Sequence, residues 1–138
     1  MWILYALLSA VFAGAVAILG KIGLKDVDTT LATAIRAAVM GVFMVSAAGL
    51  LQKFSLFKTV GNKALLFIVL SGIAGAISWL FYFLALKYGP ATGVAALDRL
   101  SVVFVVILAA LFLGETLTWK IGIGLAFLIT GAMFLVFK

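Results

Sequence analysis

Long apolar runs separated by short charged or polar connections dominate the chain. Three of these runs contain no charged side chain: residues 1–20, 64–86 and 121–137. Two more become apparent when one or two internal charges are tolerated: residues 29–51 and 91–113. Since an α-helix crosses a bilayer with about 20 mostly apolar residues, the pattern predicts an all-α integral membrane protein. Its five predicted transmembrane helices cover residues 2–20, 29–51, 64–86, 91–113 and 119–137.

The connections carry the signals expected between such helices. Asp28 or Thr29 can cap the second helix by accepting a hydrogen bond from a free backbone N–H group. Residues 52–63 form the longest connection, and their leucine and phenylalanine side chains suit the headgroup zone. Pro90 suits the first turn of the fourth helix, where no N–H donor is needed. No linker or internal repeat is evident, so residues 1–138 are expected to form a single transmembrane domain.

The composition supports membrane insertion and excludes most catalytic chemistry. Apolar residues make up 67% of the chain, against 10 Lys and Arg and 4 Asp and Glu. The lysines mostly border the apolar runs, so the net charge of +6 suggests anionic lipid headgroups rather than nucleic acid. Histidine and cysteine are both absent, which removes histidine bases, thiol nucleophiles, disulfides and most zinc or haem ligands. Asp98 alone cannot form an aspartyl dyad, and no phosphate-binding loop occurs. We therefore expect no enzyme, metal or cofactor.

Three charged residues inside the predicted helices are the main functional candidates: Arg36, Asp98 and Arg99. Each lies seven or eight residues into its helix, roughly 10 Å below the membrane boundary. Insertion of Arg or Asp near a helix centre costs about 2.5–3.5 kcal/mol, so such groups pair with each other or line a hydrated cavity. Asp98 could bridge Arg36 and fasten two helices. Alternatively, the surplus positive charge could bind an anionic or zwitterionic solute in one shared pocket.

Other polar and aromatic side chains extend this candidate site. Trp79 and Tyr82 share one face of the third helix, where they either pack against neighbours or form a cavity wall. Ser101 follows Asp98 by three residues and continues its face of the fourth helix.

Glu115 and Asp98 are candidates for a gate or a proton site. Glu115 lies at the opposite membrane face, where its alternative role is a loop salt bridge with Lys120. Asp98 is the only carboxylate well inside a predicted span.

Small residues recur four positions apart in most of the predicted helices, and such pairs let helix backbones approach each other in lipid. They include Ala10/Gly14, Ala37/Gly41, Gly72/Ala76, Ser71/Gly75 and Gly122/Ala126.

The positive charges do not select one orientation. Five crossings place the termini on opposite faces, and each face receives four lysines: Lys53, Lys58, Lys63 and Lys120 on one, Lys21, Lys25, Lys87 and Lys138 on the other. Arg36 and Arg99 add a weak excess to the second face. The chain either has one orientation that the count does not reveal or inserts in both. In the second case two copies would form an antiparallel homodimer similar to the inverted repeats of secondary transporters.

Several segments together resemble a known family. They are residues 21–25 (KIGLK), 32–36 (ATAIR), 79–89 (WLFYFLALKYG), 94–101 (VAALDRLS) and 113–115 (LGE). They are similar to the EamA domain of the drug/metabolite transporter superfamily, and the chain most closely resembles its five-helix bacterial and archaeal type with one unit. The resemblance implies import or export of small metabolites across the cell's inner or plasma membrane, and it implies dimerisation. Related small multidrug-resistance proteins bind cations through an acid in the first helix, which residues 2–20 lack, so cationic drugs are not expected.

The expected function is therefore secondary transport of a small anionic or zwitterionic metabolite by a homodimer that works by alternating access. Arg36 and Arg99 would attract the solute, Asp98 would orient them or carry a proton, and Trp79 and Tyr82 would wall the cavity. Membrane lipid and the substrate are the other expected partners. The alternatives are a helper subunit or helix-bundle scaffold that does not transport, and a passive pore.

Overall fold

The computed structural model describes residues 1–137, and all regular structure in that range is helical. The α-helices are α1 (Trp2–Gly23), α2 (Thr29–Leu50), α3 (Asn62–Tyr88), α4 (Ala91–Asp98), α5 (Ser101–Leu108) and α6 (Trp119–Val136). Helices α4 and α5 and a π-helical turn, Ala109–Leu113, together form one apolar span. Residues 1–137 thus contain five spans long and apolar enough to cross a membrane, which confirms the all-α transmembrane fold predicted from the sequence. Lys138, one of the counted lysines, lies outside the described residues.

Several helices extend past the charges that were expected to end them. Helix α1 continues beyond Gly20 to Gly23 and includes Lys21, and α3 runs from Asn62 to Tyr88. A lysine has an apolar stem, so it can remain in the last turn of a membrane helix while its ammonium group reaches polar surroundings. A charged residue therefore marks the end of a helix less sharply than it marks the end of an apolar run.

The described chain divides into two compact units. The α2–α3 unit, Ile22–Lys87, contains these two helices and a 3₁₀ helix, Lys53–Thr59, in the long connection between them. The second unit, called here the α4–α6 unit, contains Met1–Lys21 and the chain from Tyr88 onward, and therefore includes most of α1.

In the α2–α3 unit, polar contacts fix the start of α2. Asp28 is the N-cap, and its Oδ1 atom accepts hydrogen bonds of 2.9 Å from the backbone N–H groups of Thr30 and Leu31. The Nζ atom of Lys87, near the end of α3, donates to the carbonyl oxygen of Val27 at 2.8 Å. A hydrogen bond thus connects the start of α2 to the end of α3. Of the two capping residues that the sequence allowed, Asp28 and Thr29, the structure shows Asp28.

In the α4–α6 unit, α4 packs closely against α6. A Cβ atom added to Gly93 would lie 3.3 Å from Cγ of Pro90 and 3.9 Å from Cγ2 of Val136. Ala96 and Ala132 are buried in the same unit. Small side chains therefore let these two backbones approach, as expected for helix contacts in lipid.

The start of α4 differs in one detail from the prediction. Pro90 is the N-cap residue, with extended backbone, rather than a residue of the first helical turn. Its carbonyl oxygen accepts a hydrogen bond from the N–H group of Val94. Proline, which has no N–H donor, therefore lies just outside the helix.

The sequence had suggested one continuous α-helix for the fourth span, but the structure divides it. Around Arg99 the backbone tightens into i→i+3 bonds, from Leu100 to Leu97 and from Val103 to Leu100, each 2.9 Å long. The π-helical turn then widens it, and Gly114 ends the span at φ +69°. That left-handed conformation is accessible to glycine because it has no Cβ atom.

The small-residue pairs in α2 and α3 do not form close helix contacts in the single chain. A Cβ atom added to Gly41, Gly72 or Gly75 would have no other group within 4 Å, beyond its own turn of helix and its chain neighbours. Tight packing at these positions is therefore not found within the single chain. Gly72 and Gly75 instead lie beside an open groove.

Candidate functional site

Arg36 lies against aromatic rings of the neighbouring helix. It is the eighth residue of α2 and is partly buried. The guanidinium carbon lies 3.5 Å from the centroid of the Trp79 ring and 5.3 Å from that of Phe83. Both distances fall within the range of cation–π attraction, which strengthens when water is excluded. The two rings therefore provide the arginine with a favourable electrostatic environment inside an apolar span.

The rings form one cluster on α3. Trp79 and Tyr82 meet edge to face, with centroids 5.5 Å apart and planes at 77°. Phe83 lies 5.9 Å from Trp79 and is buried. Positions 79, 82 and 83 share a helix face because residues three and four apart are neighbours. Sequence reasoning missed Phe83, although its spacing of four from Trp79 was a usable signal.

Helices α2 and α3 border an open groove of about 450 Å³ that includes Arg36 and Trp79. This volume lies in the range of small-molecule sites. The lining residues are Thr30, Thr33, Ala34, Arg36, Ala37, Met40, Gly72, Gly75, Ala76, Trp79 and Leu80. The sequence had indicated Arg36 and Trp79 but neither of the two threonines nor Met40, because threonine and methionine are common in membrane helices and carry no cavity signal of their own.

Polarity changes along this groove. Thr30, Thr33 and Arg36 lie in the first turns of α2, whereas Met40 lies one turn beyond Arg36. The hydroxyl of Thr33 donates to the carbonyl oxygen of Thr29 at 2.7 Å, so its proton is already used. Arg36 is therefore the side chain best supplied with free donors in the groove.

The α2–α3 unit supplies no acid inside its spans to neutralise Arg36. Neither α2 nor α3 contains Asp or Glu. The acids of this unit, Asp26 and Asp28, precede α2, and Asp28 accepts the two capping bonds. A guanidinium carries five N–H donors in its plane. The contact with Trp79 places the guanidinium carbon over the ring and does not neutralise its charge, so the N–H donors can still bind an anion.

The remaining predicted site residues belong to the α4–α6 unit. Asp98 ends α4, Arg99 lies in the tightened turn and Ser101 begins α5, and all three are exposed. The structure thus brings Arg36, Trp79 and Tyr82 together. That Asp98, Arg99 and Ser101 join them in one pocket stays a prediction.

Glu115 is exposed and directly follows Gly114. Its backbone N–H group donates to the carbonyl oxygen of Ala109 at 3.3 Å, across the π-helical turn. Its role as a gate or proton site stays a prediction.

Comparison with known proteins agrees with this architecture. A family model described as the EamA-like transporter family matches residues 1–137. A protein of Sinorhizobium sp, described as "Uncharacterized transporter in cobO 3'region", is 43% identical over 137 residues, which cover 97% of this chain and 95% of the relative. No solved structure matches the chain.

Proposed function

Because the chain belongs to the EamA-like transporter family, we propose that it moves a small anionic or zwitterionic metabolite by alternating access. The family, the transporter-named relative and the five apolar spans establish the coarser statement, that this is a multi-pass integral membrane transporter. The observation that carries the finer proposal is the position of Arg36. Its guanidinium group lies on the Trp79 ring and lines a groove of metabolite size between two apolar spans.

Arg36 would bind the solute through the edge of its guanidinium group. A planar guanidinium can form two parallel hydrogen bonds to one carboxylate, and such charge-assisted bonds are stronger than neutral ones. The contact with Trp79 would restrict the movement of the group, which reduces the conformational freedom that binding must remove. Tyr82 extends the same aromatic wall. These contacts would hold an anion where water is scarce and electrostatic attraction is therefore strong.

Asp98, Arg99 and Ser101 would complete the site during the transport cycle. Asp98 would orient the arginines or carry a coupled proton, Arg99 would add a second positive charge, and Ser101 would offer a hydroxyl. Glu115 would serve as a gate or second proton site at the opposite face. This assignment is supported by their sequence positions in and beside the fourth span.

A homodimer would fit the same scheme. Asp98 and Arg99 are exposed on the single chain within an apolar span, and each such group costs about 2.5–3.5 kcal/mol near the centre of a lipid-facing helix. A second copy could cover these charges, and an antiparallel copy would reproduce the inverted repeats used for alternating access. We therefore propose an antiparallel homodimer whose copies insert in opposite orientations.

Uptake into proteoliposomes tests the site. We expect saturable uptake of a small organic anion, lost in Arg36→Gln and Asp98→Asn and partly kept in Arg36→Lys. The matched control is Lys25→Gln, which removes a charge from the exposed loop before α2 and should transport normally. Full activity in both Arg36→Gln and Asp98→Asn would overturn the proposed site, and uptake without saturation would indicate a pore.

A second experiment tests the dimer. Reporters fused to the C-terminus, each active on one side of the membrane, should both give signal if the chain inserts both ways. Signal on one side alone would contradict the antiparallel arrangement. Purification with a different protein in fixed stoichiometry would instead favour the helper-subunit alternative.

A further inference from the structure

We infer that the groove between α2 and α3 selects an amphipathic organic acid, with one carboxylate at Arg36 and an apolar body in the part that extends towards Met40 and Gly72. This inference rests on the proposed function and narrows it, from any small anion to a monocarboxylate that carries an aromatic ring or a branched aliphatic group. The part of the groove beyond Arg36, bordered by Ala37, Met40, Gly72 and Gly75, is called the apolar arm below.

The first argument is the change of lining along the groove. Met40 lies four residues beyond Arg36 on α2, and Gly72 lies seven residues before Trp79 on α3. At 1.5 Å per residue the apolar arm extends roughly 6–10 Å from the guanidinium. That distance accommodates one ring or a short branched chain, but not the tail of a membrane fatty acid.

The second argument is charge. Of the described residues that line the groove, one is charged, and it is Arg36. Helices α2 and α3 contain no acid. One guanidinium matches one carboxylate. A dicarboxylate would place its second charge in the apolar arm without a partner, and a sugar acid would leave hydroxyl groups unpaired there. Both arrangements are unfavourable because buried polar groups require hydrogen-bond partners.

The third argument is the open space at the glycines. Cβ atoms added to Gly72 or Gly75 would contact no other group within 4 Å. Within a single chain the absence of side chains there serves no helix contact, and its structural consequence is the width of the arm. A larger side chain at Gly72 has open space at its Cβ position and would narrow the arm.

Binding to the purified protein in nanodiscs, measured by calorimetry, tests the inference. The probes are acetate, phenylacetate, its neutral amide, succinate and decanoate. We expect phenylacetate to bind at least tenfold more tightly than acetate, because its ring removes apolar surface from water. The amide and succinate should bind at least tenfold more weakly than phenylacetate. Decanoate should gain nothing over phenylacetate, since its tail exceeds the arm.

Filling the arm provides the decisive variant. Gly72→Leu should weaken the binding of phenylacetate at least tenfold and leave the affinity for acetate unchanged. Gly122→Leu is the matched control, because Gly122 lies on α6, outside the groove, and is equally open. Arg36→Gln should weaken the binding of both acids. If Gly72→Leu impairs folding, Gly72→Ala should still lower the ratio of the two affinities.

Several results would overturn the inference. They are equal binding of acetate and phenylacetate, tighter binding of succinate or decanoate, an affinity ratio unchanged in Gly72→Leu, and no binding of any of the probe acids. None of these contradicts the proposed function, which depends on saturable anion uptake that requires Arg36. Loss of that requirement would instead remove both.

Discussion

The guanidinium carbon of Arg36 lies 3.5 Å from the centroid of the Trp79 ring, and the two residues belong to different apolar spans. An arginine near the centre of a membrane helix costs about 2.5–3.5 kcal/mol, while a desolvated cation–π contact returns about 2 kcal/mol or more. The aromatic ring can therefore offset most of the insertion cost without neutralising the charge. A carboxylate partner would have offset the cost as well, but it would also have removed the positive charge that an anionic solute needs.

The first prediction concerns this pair. Trp79→Leu should lower the free energy of unfolding in detergent by about 1–2 kcal/mol, because the guanidinium loses its aromatic contact. Trp79→Phe should cost less, since a smaller ring retains part of the attraction. Denaturant titration followed by circular dichroism measures both. Trp119→Leu is the control, because Trp119 is 73% exposed at the start of α6 and should change stability little.

A double-mutant cycle with Arg36→Met separates the contact from the loss of a large side chain. The two substitutions should be non-additive by about 0.5–3 kcal/mol, as expected for residues in contact. Strict additivity would mean that Arg36 and Trp79 do not interact in the folded protein.

The second prediction concerns the start of α2. Asp28→Ala should destabilise the protein by about 1 kcal/mol, within a usual range of about 0.5–2 kcal/mol for the loss of an N-cap side chain. Two 2.9 Å bonds to Thr30 and Leu31 are lost. Asp28→Asn should keep most of the stability, and Asp26→Ala, in the same exposed loop, should be nearly neutral. Thermal unfolding compares the three variants, and equal losses in Asp26→Ala and Asp28→Ala would contradict the capping role.

The spans could be predicted from the sequence because transfer into lipid depends on composition over a whole run. A run such as residues 64–86 has no stable alternative to a helix in hydrocarbon, where every backbone polar group must be satisfied internally. The extension of α3 to Tyr88 and the tightened turn at Arg99 were not predicted. Both depend on local backbone geometry and on where lysine ammonium groups find partners, and the hydrophobic pattern reports neither.

The candidate site was predictable only in part, for a similar reason. Arg36 was identifiable because its charge is conspicuous in an apolar run, and Trp79 because of its depth. Phe83 and Thr33 look like ordinary helix residues until α2 and α3 are placed side by side. Gly72 and Gly75 were predicted to lie at helix contacts, whereas in the single chain they border a groove. Glycine at a spacing of three or four permits either arrangement, and the difference depends on what faces it.

The third prediction concerns two lysines that bind backbone carbonyl groups. Lys21 donates to Gly89 at 2.9 Å in partly buried surroundings, and Lys87 donates to Val27 at 2.8 Å in exposed surroundings. Because hydrogen bonds from charged groups contribute about 1.5–3 kcal/mol when shielded from water, Lys21→Met should destabilise more than Lys87→Met. Lys63→Met, an exposed position at the start of α3, is the control. The reverse order of the two losses would contradict these contacts.

The fourth prediction concerns Gly93, where α4 approaches α6. Gly93→Ala should be tolerated, because the added Cβ would lie 3.3 Å from the flexible ring atom Cγ of Pro90 and 4.0 Å from the carbonyl oxygen of Leu135. Gly93→Leu should separate the helices and cost about 1–3 kcal/mol, as overpacking usually does.

The control for Gly93→Leu is Gly124→Leu, a glycine of α6 with open space around its Cβ position. Both variants add the same side chain to a membrane helix, so they have similar effects on insertion. The free energy of unfolding in detergent and the yield of monodisperse protein should then fall for Gly93→Leu alone. If both variants lose stability equally, the loss comes from leucine in place of glycine and not from the contact between α4 and α6.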